Sequence, residues 1–272
     1  METIDVPYVA IPNTTKKIVY SGGREYHLFI SVPLTPPPEA GFPVIYLLDA
    51  NSVFGTMTEA IRAQSSFPER TGVEPGIVVG IGYPTESPFH PARHYDFTFP
   101  VPQTELPAHP EGSEWPEQGG NAAFLSFLAH ECKPLVEREY PINPDRQAIF
   151  GHSLGGLFVL TALFTQPYQF QTYIAGSPSI HWNERILLEK ERAFSALLTE
   201  QDKPIRLLIG LGELETRQGT WGSKKAEQMA TRLSSSIDTE KLSVEYMEFP
   251  GEHHVSVLPA LISRAIRFAL KP

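Results

Sequence analysis

The chain has 272 residues, a hydrophobic fraction of 41% and a formal net charge of −9 at pH 7. This length allows one large α/β domain or two small ones. Because the net charge is negative, composition argues against a general nucleic-acid binder, which needs a basic face.

Strand-like segments alternate with helical patterns along most of the chain. The segment YHLFISVP (26–33) alternates apolar and polar residues, as a half-buried strand does. Later strand candidates are mostly continuous apolar runs, which are typical of strands covered on both faces. These candidates are 43–50, 76–83, 146–151, 172–177, 205–212 and 242–249. The helical candidates are roughly 53–65, 121–139, 155–165, 183–199, 222–236 and 256–270.

The alternation of strand and helix favours right-handed βαβ crossovers and a mostly parallel sheet between two helical layers. One segment, 84–119, departs from this pattern because it contains eight prolines and shows no clear period. It is too long for an ordinary connection, so we interpret it as a lid-like or substrate-binding insertion. The sequence therefore predicts a single α/β domain over 1–272, with this insertion between a strand and a helix.

Targeting and redox signals are sparse. The single cysteine, Cys132, excludes an internal disulfide framework and fits a reducing compartment. The first residues, METIDVPYVAIPNTTKK, lack the pattern of a secretory signal, and no apolar run is long enough to cross a bilayer. We therefore expect a cytoplasmic protein with no membrane partner.

The stretch Gly151-His152-Ser153-Leu154-Gly155 satisfies G-x-S-x-G between a predicted strand and a predicted helix. In that context the motif forms a sharp turn, and the flanking residues must be small to avoid a clash. The turn holds the serine hydroxyl at the carboxyl edge of the sheet, beside a helix N-terminus. Ser153 is therefore the candidate nucleophile, and the alternative is a plain helix cap.

A serine nucleophile needs a base in reach, and the loop after the last strand supplies His253 and His254. Neighbouring side chains diverge, so only one of the two can serve. The loop after the preceding strand supplies the acid, with Glu215 preferred and Glu213 the alternative. The resulting chain order is serine, acid, histidine.

The expected oxyanion donors are the backbone N–H of Leu154 and one N–H from the loop after 43–50, where Asn51 is the candidate. Asp49-Ala50-Asn51 is equally consistent with a helix cap. His152 is expected to point away from the nucleophile. No group of residues has metal-ligand spacing, and no phosphate loop or dinucleotide fingerprint is present, so we expect neither a metal nor a cofactor.

With these residues in place, the chain resembles the α/β-hydrolase superfamily, and within it the putative-esterase family that includes the siderophore esterases. The matching pieces are VIYLLDAN (44–51), ARHYDFT (92–98), the run from 124 to 158, AGSPSIHWN (175–183), GLGELE (210–215) and PGEHHVSV (250–257). They extend over nearly the whole chain.

This resemblance implies roles for single positions. It implies that Ser153 is the nucleophile and that His254 is the base, because the family pattern G-E-x-H-x-S-V then falls in register. It favours Glu215 as the acid. It implies that Arg93 and Asp96 form a rim pair that orders the insertion, and that Arg93 is also available to an anionic substrate. The family's aromatic pocket wall falls at Trp182, where His181 replaces the first of two tryptophans.

The resemblance implies a serine esterase that works through an acyl-enzyme, without a cofactor, on a small-molecule ester. A catecholate siderophore trilactone is the substrate that the family analogy favours, and the alternatives are other bulky esters such as feruloyl-type ones. Acyl transfer to an alcohol would use the same intermediate. A hydrolase fold that only binds is the alternative outside the enzymes.

Overall fold

The computed structural model describes residues 10–109, 112–198, 203–217 and 223–272. Eight strands of these residues form one sheet in the order β1-β2-β4-β3-β5-β6-β7-β8. They are β1 (Thr14–Ser21), β2 (Arg24–Ser31), β3 (Phe42–Leu47), β4 (Ile77–Gly82), β5 (Ile142–His152), β6 (Thr172–Gly176), β7 (Ile205–Gly212) and β8 (Leu242–Phe249). The pairs β1–β2 and β2–β4 are antiparallel, and all pairs from β4 to β8 are parallel. The predicted mostly parallel sheet is confirmed.

Helices cover both faces of this sheet, as predicted. They are α1 (Ala50–Ser65), α2 (Pro68–Thr71), α3 (Arg93–Phe97), α4 (Asn121–Phe127), α5 (Lys133–Glu139), α6 (Leu154–Thr165), α7 (Glu184–Leu197), α8 (Glu213–Arg217), α9 (Ser223–Ser236) and α10 (Val257–Ala269). The apolar sides of α1 and α10 pack on one face. Those of α4 to α7 and α9 pack on the other. The central strands β3 and β4 are fully buried between these layers, which explains their unbroken apolar sequences.

Several boundaries differ from the predictions. The helix predicted over 121–139 is α4 and α5 joined by a π-helical turn, Leu128–Cys132, and β5 begins four residues earlier than expected. Residues 199 and 222, the predicted limits of two helices, lie outside the described part of the chain. No strand was predicted at β1. This strand lies at the sheet edge with Ile18 52% and Tyr20 70% exposed, so it lacks the apolar run that identified the inner strands.

The middle of the proline-rich segment 84–119 packs against the sheet and α6. Its short helix α3 buries Asp96 and Phe97 completely. Asp96 accepts hydrogen bonds from Tyr26 at 3.1 Å and from Tyr83 at 2.8 Å. The far end of the segment is tied to β2 by an ion pair of 2.8 Å between Glu117 and Arg24. The segment is therefore anchored at several points, and its role as a lid stays a prediction.

Asp96 makes the stability of this anchor depend on pH. Burial raises the pKa of its carboxyl from 3.8 to about 6, although the two tyrosine hydroxyls act in the opposite direction. The folded state therefore holds a proton that the unfolded state releases, and stability falls as pH rises from about 4 through about 6. Above that range the charged, buried carboxylate costs about 3 kcal/mol by the usual conversion of a pKa shift.

We expect Asp96→Asn to raise the melting temperature relative to the unaltered chain at pH 8, and by clearly less at pH 5. The amide keeps a hydrogen-bonding group beside both tyrosines but carries no charge. Thermal unfolding of both proteins at the two pH values measures the difference. Glu39→Gln, at an exposed position, is the matched control. An Asp96→Asn effect of equal size at both pH values would contradict the buried-charge explanation.

Among the described residues, no helix combines the length and the apolar character needed to span a membrane.

Candidate active site

The turn between β5 and α6 holds Ser153 in a strained backbone conformation. Its φ of +60° and ψ of −117° lie outside the regions that side chains normally adopt. A Cβ at Gly151 would lie 2.3 Å from the carbonyl oxygen of Gly155, so the chain can close this turn only with glycine at position 151. The turn is tied to the next strand, because the N–H of Ser153 donates to the carbonyl of Gly176 at 2.9 Å. The serine is thereby fixed at the carboxyl edge of the sheet.

Glu215 and His254 come together from the next parts of the sheet. Glu215 lies in α8, directly after β7, and His254 lies in the turn between β8 and α10. Their Oε2 and Nδ1 atoms are 2.7 Å apart. The other carboxylate oxygen of Glu215 accepts from the N–H of Gly212 at 2.8 Å and from the hydroxyl of Ser177 at 2.7 Å. The acid therefore has fixed partners on both oxygens.

The charge of Glu215 is stabilised where it stands. Burial alone would raise the pKa of this carboxyl, but the hydrogen bonds from His254, Ser177 and Gly212 hold it below its usual value. An ionised carboxylate next to Nδ1 keeps the proton on that nitrogen and leaves Nε2 free to accept one. The arrangement can orient a general base.

The two alternatives named from sequence lie elsewhere. A carboxylate oxygen of Glu213 accepts from the backbone N–H of Gly251 at 3.0 Å, so this residue holds the turn before the histidines. His253 is exposed, and its backbone N–H donates to the Ser256 hydroxyl at 2.9 Å. The structure thus brings Glu215 to His254 and gives Glu213 and His253 other partners.

A cavity of about 350 Å³ opens beside Ser153 and His254. Its other walls come mainly from segment 84–119. The described residues that line it are Phe89, His90, Pro91, Arg93, His94, Pro116, His152, Ser153, His254 and Val255. None of them is acidic, although the chain carries a net charge of −9. The walls are therefore formed by imidazoles, apolar side chains and one guanidinium.

The predicted pair of Arg93 with Asp96 at the rim is wrong. Arg93 is 8% exposed and makes a two-pronged ion pair with Asp49, in which both hydrogen bonds are 2.8 Å. Burial alone would lower the pKa of Arg93, but the carboxylate of Asp49 raises it above its usual value. Asp49 lies between β3 and α1 and is the N-cap residue of that helix, with a left-handed φ of +53°. Arg93 reaches the cavity with its charge already balanced.

Trp182 lies behind the cavity wall. It is 2% exposed, and its ring centre lies 4.8 Å from that of Trp115 and 5.9 Å from that of His94, which does line the cavity. Burial, followed by the nearby Arg93, lowers the pKa of His94 to about 4, so this imidazole is neutral at pH 7. Trp182, the expected substrate-binding aromatic residue, does not line the cavity and instead packs behind His94, so its role in binding stays a prediction.

The two expected oxyanion donors, on Leu154 and Asn51, lie in different surroundings. Leu154 is the first residue of α6, so its N–H belongs to the unpaired first turn of a helix beside Ser153. The side-chain amide of Asn51 donates to the carbonyls of Tyr83 and Thr85 at 3.0 and 2.9 Å. Only the backbone N–H of Asn51 is left for an oxyanion, and its role stays a prediction.

Three contacts of the site were not predicted from the sequence. His152, which was expected to point away from the nucleophile, packs its ring on that of His254 with centres 4.7 Å apart. Burial and the neighbouring His254 lower the pKa of His152 to about 3, which keeps its imidazole neutral. Ser177 contacts Glu215, and Ser179 contacts Ser153. The segment AGSPSI gave no signal for these contacts, since the two serines act through groups distant in the chain.

Within the described residues, no group of three or more His, Cys, Asp or Glu side chains could hold a metal ion.

Comparison with known proteins places this geometry in context. The model of the family described as Putative esterase matches residues 20–267. The ferri-bacillibactin esterase BesA of Bacillus subtilis is 53% identical over 264 residues, which cover 96% of this chain and 91% of the relative. The siderophore enterobactin esterase of Emericella nidulans is 38% identical over 82% of this chain and 80% of its own. The crystal structure of the BES protein from Bacillus cereus superposes with a TM-score of 0.90 and 38% identity, covering 98% of this chain and 99% of the other.

Proposed function

The chain belongs to the Putative esterase family and is a carboxylic ester hydrolase with an α/β-hydrolase fold, and from this premise we propose that its substrate is a catecholate siderophore ester. The observation that carries this proposal is the 53% identity, over 96% of the chain, to an esterase named for ferri-bacillibactin. The enterobactin esterase relative, at 38% identity, supports the same substrate class.

In the proposed mechanism Ser153 is the nucleophile and His254 is its base. Attack of the Ser153 oxygen on the ester carbonyl forms a carbon–oxygen bond, while the hydroxyl proton moves to Nε2 of His254. The N–H of Leu154 stabilises the oxyanion. The bond between the acyl carbon and the alcohol oxygen then breaks, and His254 gives its proton to the departing alcohol. Water then attacks the acyl-enzyme with His254 as base. Glu215, 2.7 Å from Nδ1, stabilises the imidazolium in both steps.

The cavity walls support a substrate with aromatic, electron-rich groups. Imidazole and proline rings line the space beside Ser153, and no described lining residue is acidic. Phe89 and Val255 are 38% and 59% exposed at the same cavity, so apolar surface continues to the outside. Because 350 Å³ suits one arm of a trilactone bearing three aryl amides, the remaining arms would lie over these two side chains.

The test is the rate at which the unaltered protein hydrolyses four substrates. These are an apo catecholate trilactone, its ferric complex, a feruloyl ester and an activated aryl ester. We expect kcat/KM for at least one form of the trilactone to exceed that for the feruloyl and aryl esters by about 10²-fold, because binding of the remote arms contributes to the transition state. Equal or lower values for both trilactone forms would contradict the proposed substrate.

Product analysis in the same assay, with and without added alcohol, separates hydrolysis from acyl transfer. We expect the free acid as the main product in both cases. An acyl product that depends on the alcohol would assign the same acyl-enzyme to a transferase.

A further inference from the structure

One tripeptide, Ser177-Pro178-Ser179, contacts both the candidate nucleophile and the candidate acid. The hydroxyl of Ser177 donates to Oε1 of Glu215 at 2.7 Å. The hydroxyl oxygen of Ser179 lies 3.2 Å from that of Ser153. Both serines are buried, at 3% and 5% exposure. We call this tripeptide, which follows β6, the serine bridge.

The backbone fixes the serine bridge as firmly as its side chains do. The N–H of Ser177 donates to the carbonyl of Gly210 at 2.8 Å, and the N–H of Ser179 donates to the carbonyl of Ser153 at 3.1 Å. The bridge also presses on α6, because a Cβ at Gly156 would lie 3.0 Å from the Cα of Pro178. It is thus attached to the turn of the nucleophile by two hydrogen bonds, one from the backbone and one between hydroxyls.

Ser177 adopts a backbone conformation that is rare for a residue with a side chain. Its φ of +39° lies in the left-handed region, which favours glycine. Yet a glycine here would lack the hydroxyl that binds Glu215. Strained residues persist where the surrounding structure requires them, and they concentrate at functional sites. The strain at Ser177 and at Ser153 therefore belongs to one connected arrangement.

From these contacts we propose that Ser179 is a further catalytic residue, whose hydroxyl donates a hydrogen bond to the reacting oxygen of Ser153. Ser177 is a positioning residue that fixes the bridge and the acid together. This inference rests on the proposed role of Ser153 as nucleophile. It adds a donor at the attacking oxygen, whereas the oxyanion donors act on the carbonyl oxygen of the substrate.

The donor acts at the two moments when the Ser153 oxygen carries negative charge. In acylation the proton leaves Ser153 for His254 as the bond to the acyl carbon forms. In deacylation the water oxygen bonds to that carbon while one water proton moves to His254. The bond to Ser153 then breaks, the electron pair returns to the serine oxygen, and this oxygen takes the proton from His254. A hydrogen bond to a charged oxygen is stronger than one to the ester oxygen of the acyl-enzyme, so it lowers both barriers.

The test compares Ser179→Ala, Ser179→Thr and the control Ser235→Ala, an exposed serine whose hydroxyl bonds only to carbonyls of its own helix. For an activated aryl ester we expect Ser179→Ala to lower kcat by about 10- to 100-fold, or about 1.4 to 2.7 kcal/mol, with KM changed less than about twofold. Ser179→Thr should restore most of kcat, because it restores the hydroxyl. Ser235→Ala should match the unaltered chain.

A second measurement separates this inference from the proposed mechanism. The rate at which a fluorophosphonate labels Ser153 should fall in Ser179→Ala in parallel with kcat, while thermal unfolding stays close to that of the unaltered chain. If the unaltered chain is labelled and active but Ser179→Ala retains both rates within twofold, the role of Ser179 is overturned and that of Ser153 stands. A lower kcat that Ser179→Thr does not restore would also overturn it. If the unaltered folded chain is neither labelled nor active, the proposed mechanism itself fails.

Discussion

Ser153→Ala is expected to lower turnover of an activated aryl ester by about 10⁴-fold or more, with little change in the melting temperature. The substitution removes the oxygen that forms the acyl-enzyme in the proposed mechanism. The hydroxyl oxygen lies 3.2 Å from that of Ser179, and the backbone strain at position 153 remains with alanine. Function and stability therefore separate at this residue. Steady-state kinetics and thermal unfolding of the same preparation check both expectations.

Covalent labelling gives an independent check of the same residue. A fluorophosphonate should label the unaltered chain and the Ser235→Ala control, and it should leave Ser153→Ala unlabelled. Retained turnover in Ser153→Ala would refute the nucleophile. A folded, unaltered chain that resists labelling would favour the alternative of a hydrolase fold that only binds its ligand.

His254→Ala is expected to lower kcat by about 10³-fold or more, whereas His253→Ala should change it by less than about tenfold. The two residues are neighbours in sequence, but only His254 lies against Glu215, with Nδ1 and Oε2 2.7 Å apart, and in the cavity with Ser153. Loss of the general base leaves the serine hydroxyl at its ordinary, weakly nucleophilic state. The substitution His253→Ala removes only an exposed imidazole.

Kinetics of the two single variants decide between the neighbours, and each serves as the other's matched control. The reverse ranking would show that the base is His253 and that the turn between β8 and α10 is displaced by one residue in the active protein. Equal, small losses would remove both histidines from the mechanism.

The inner sheet and the nucleophile turn were predictable from sequence because their signals are local. β3 and β4 are buried on both faces, so their sequences are unbroken apolar runs with two glycines. The turn at Ser153 requires glycine at position 151, where a Cβ would lie 2.3 Å from the carbonyl oxygen of Gly155. β1 gave no comparable signal, since an exposed edge strand carries lysines and threonines where an inner strand carries valines.

The contacts that sequence analysis missed join residues far apart in the chain. Arg93 has its partner 44 residues away at Asp49, and a closer carboxylate, Asp96, was the wrong choice because its neighbours are two tyrosine hydroxyls. Ser177 meets Glu215 across 38 residues. Such pairs depend on which strands lie side by side and on the exact ends of β3, β6 and β7, and neither is encoded in a short pattern.

The position of the wall residues in the chain bears on how the substrate preference of this fold can change. Ser153, Glu215 and His254 all follow β5, whereas most of the other lining residues come from the contiguous segment 84–119, before α4. In the proposed mechanism, the reacting residues and most of the cavity walls thus come from separate stretches of the sequence. A deletion, insertion or recombination within one stretch can reshape the binding site without moving a reacting atom, provided that Arg93 and Asp96 keep their partners. Changes confined to 84–119 would then alter which esters bind while the candidate catalytic residues keep their positions.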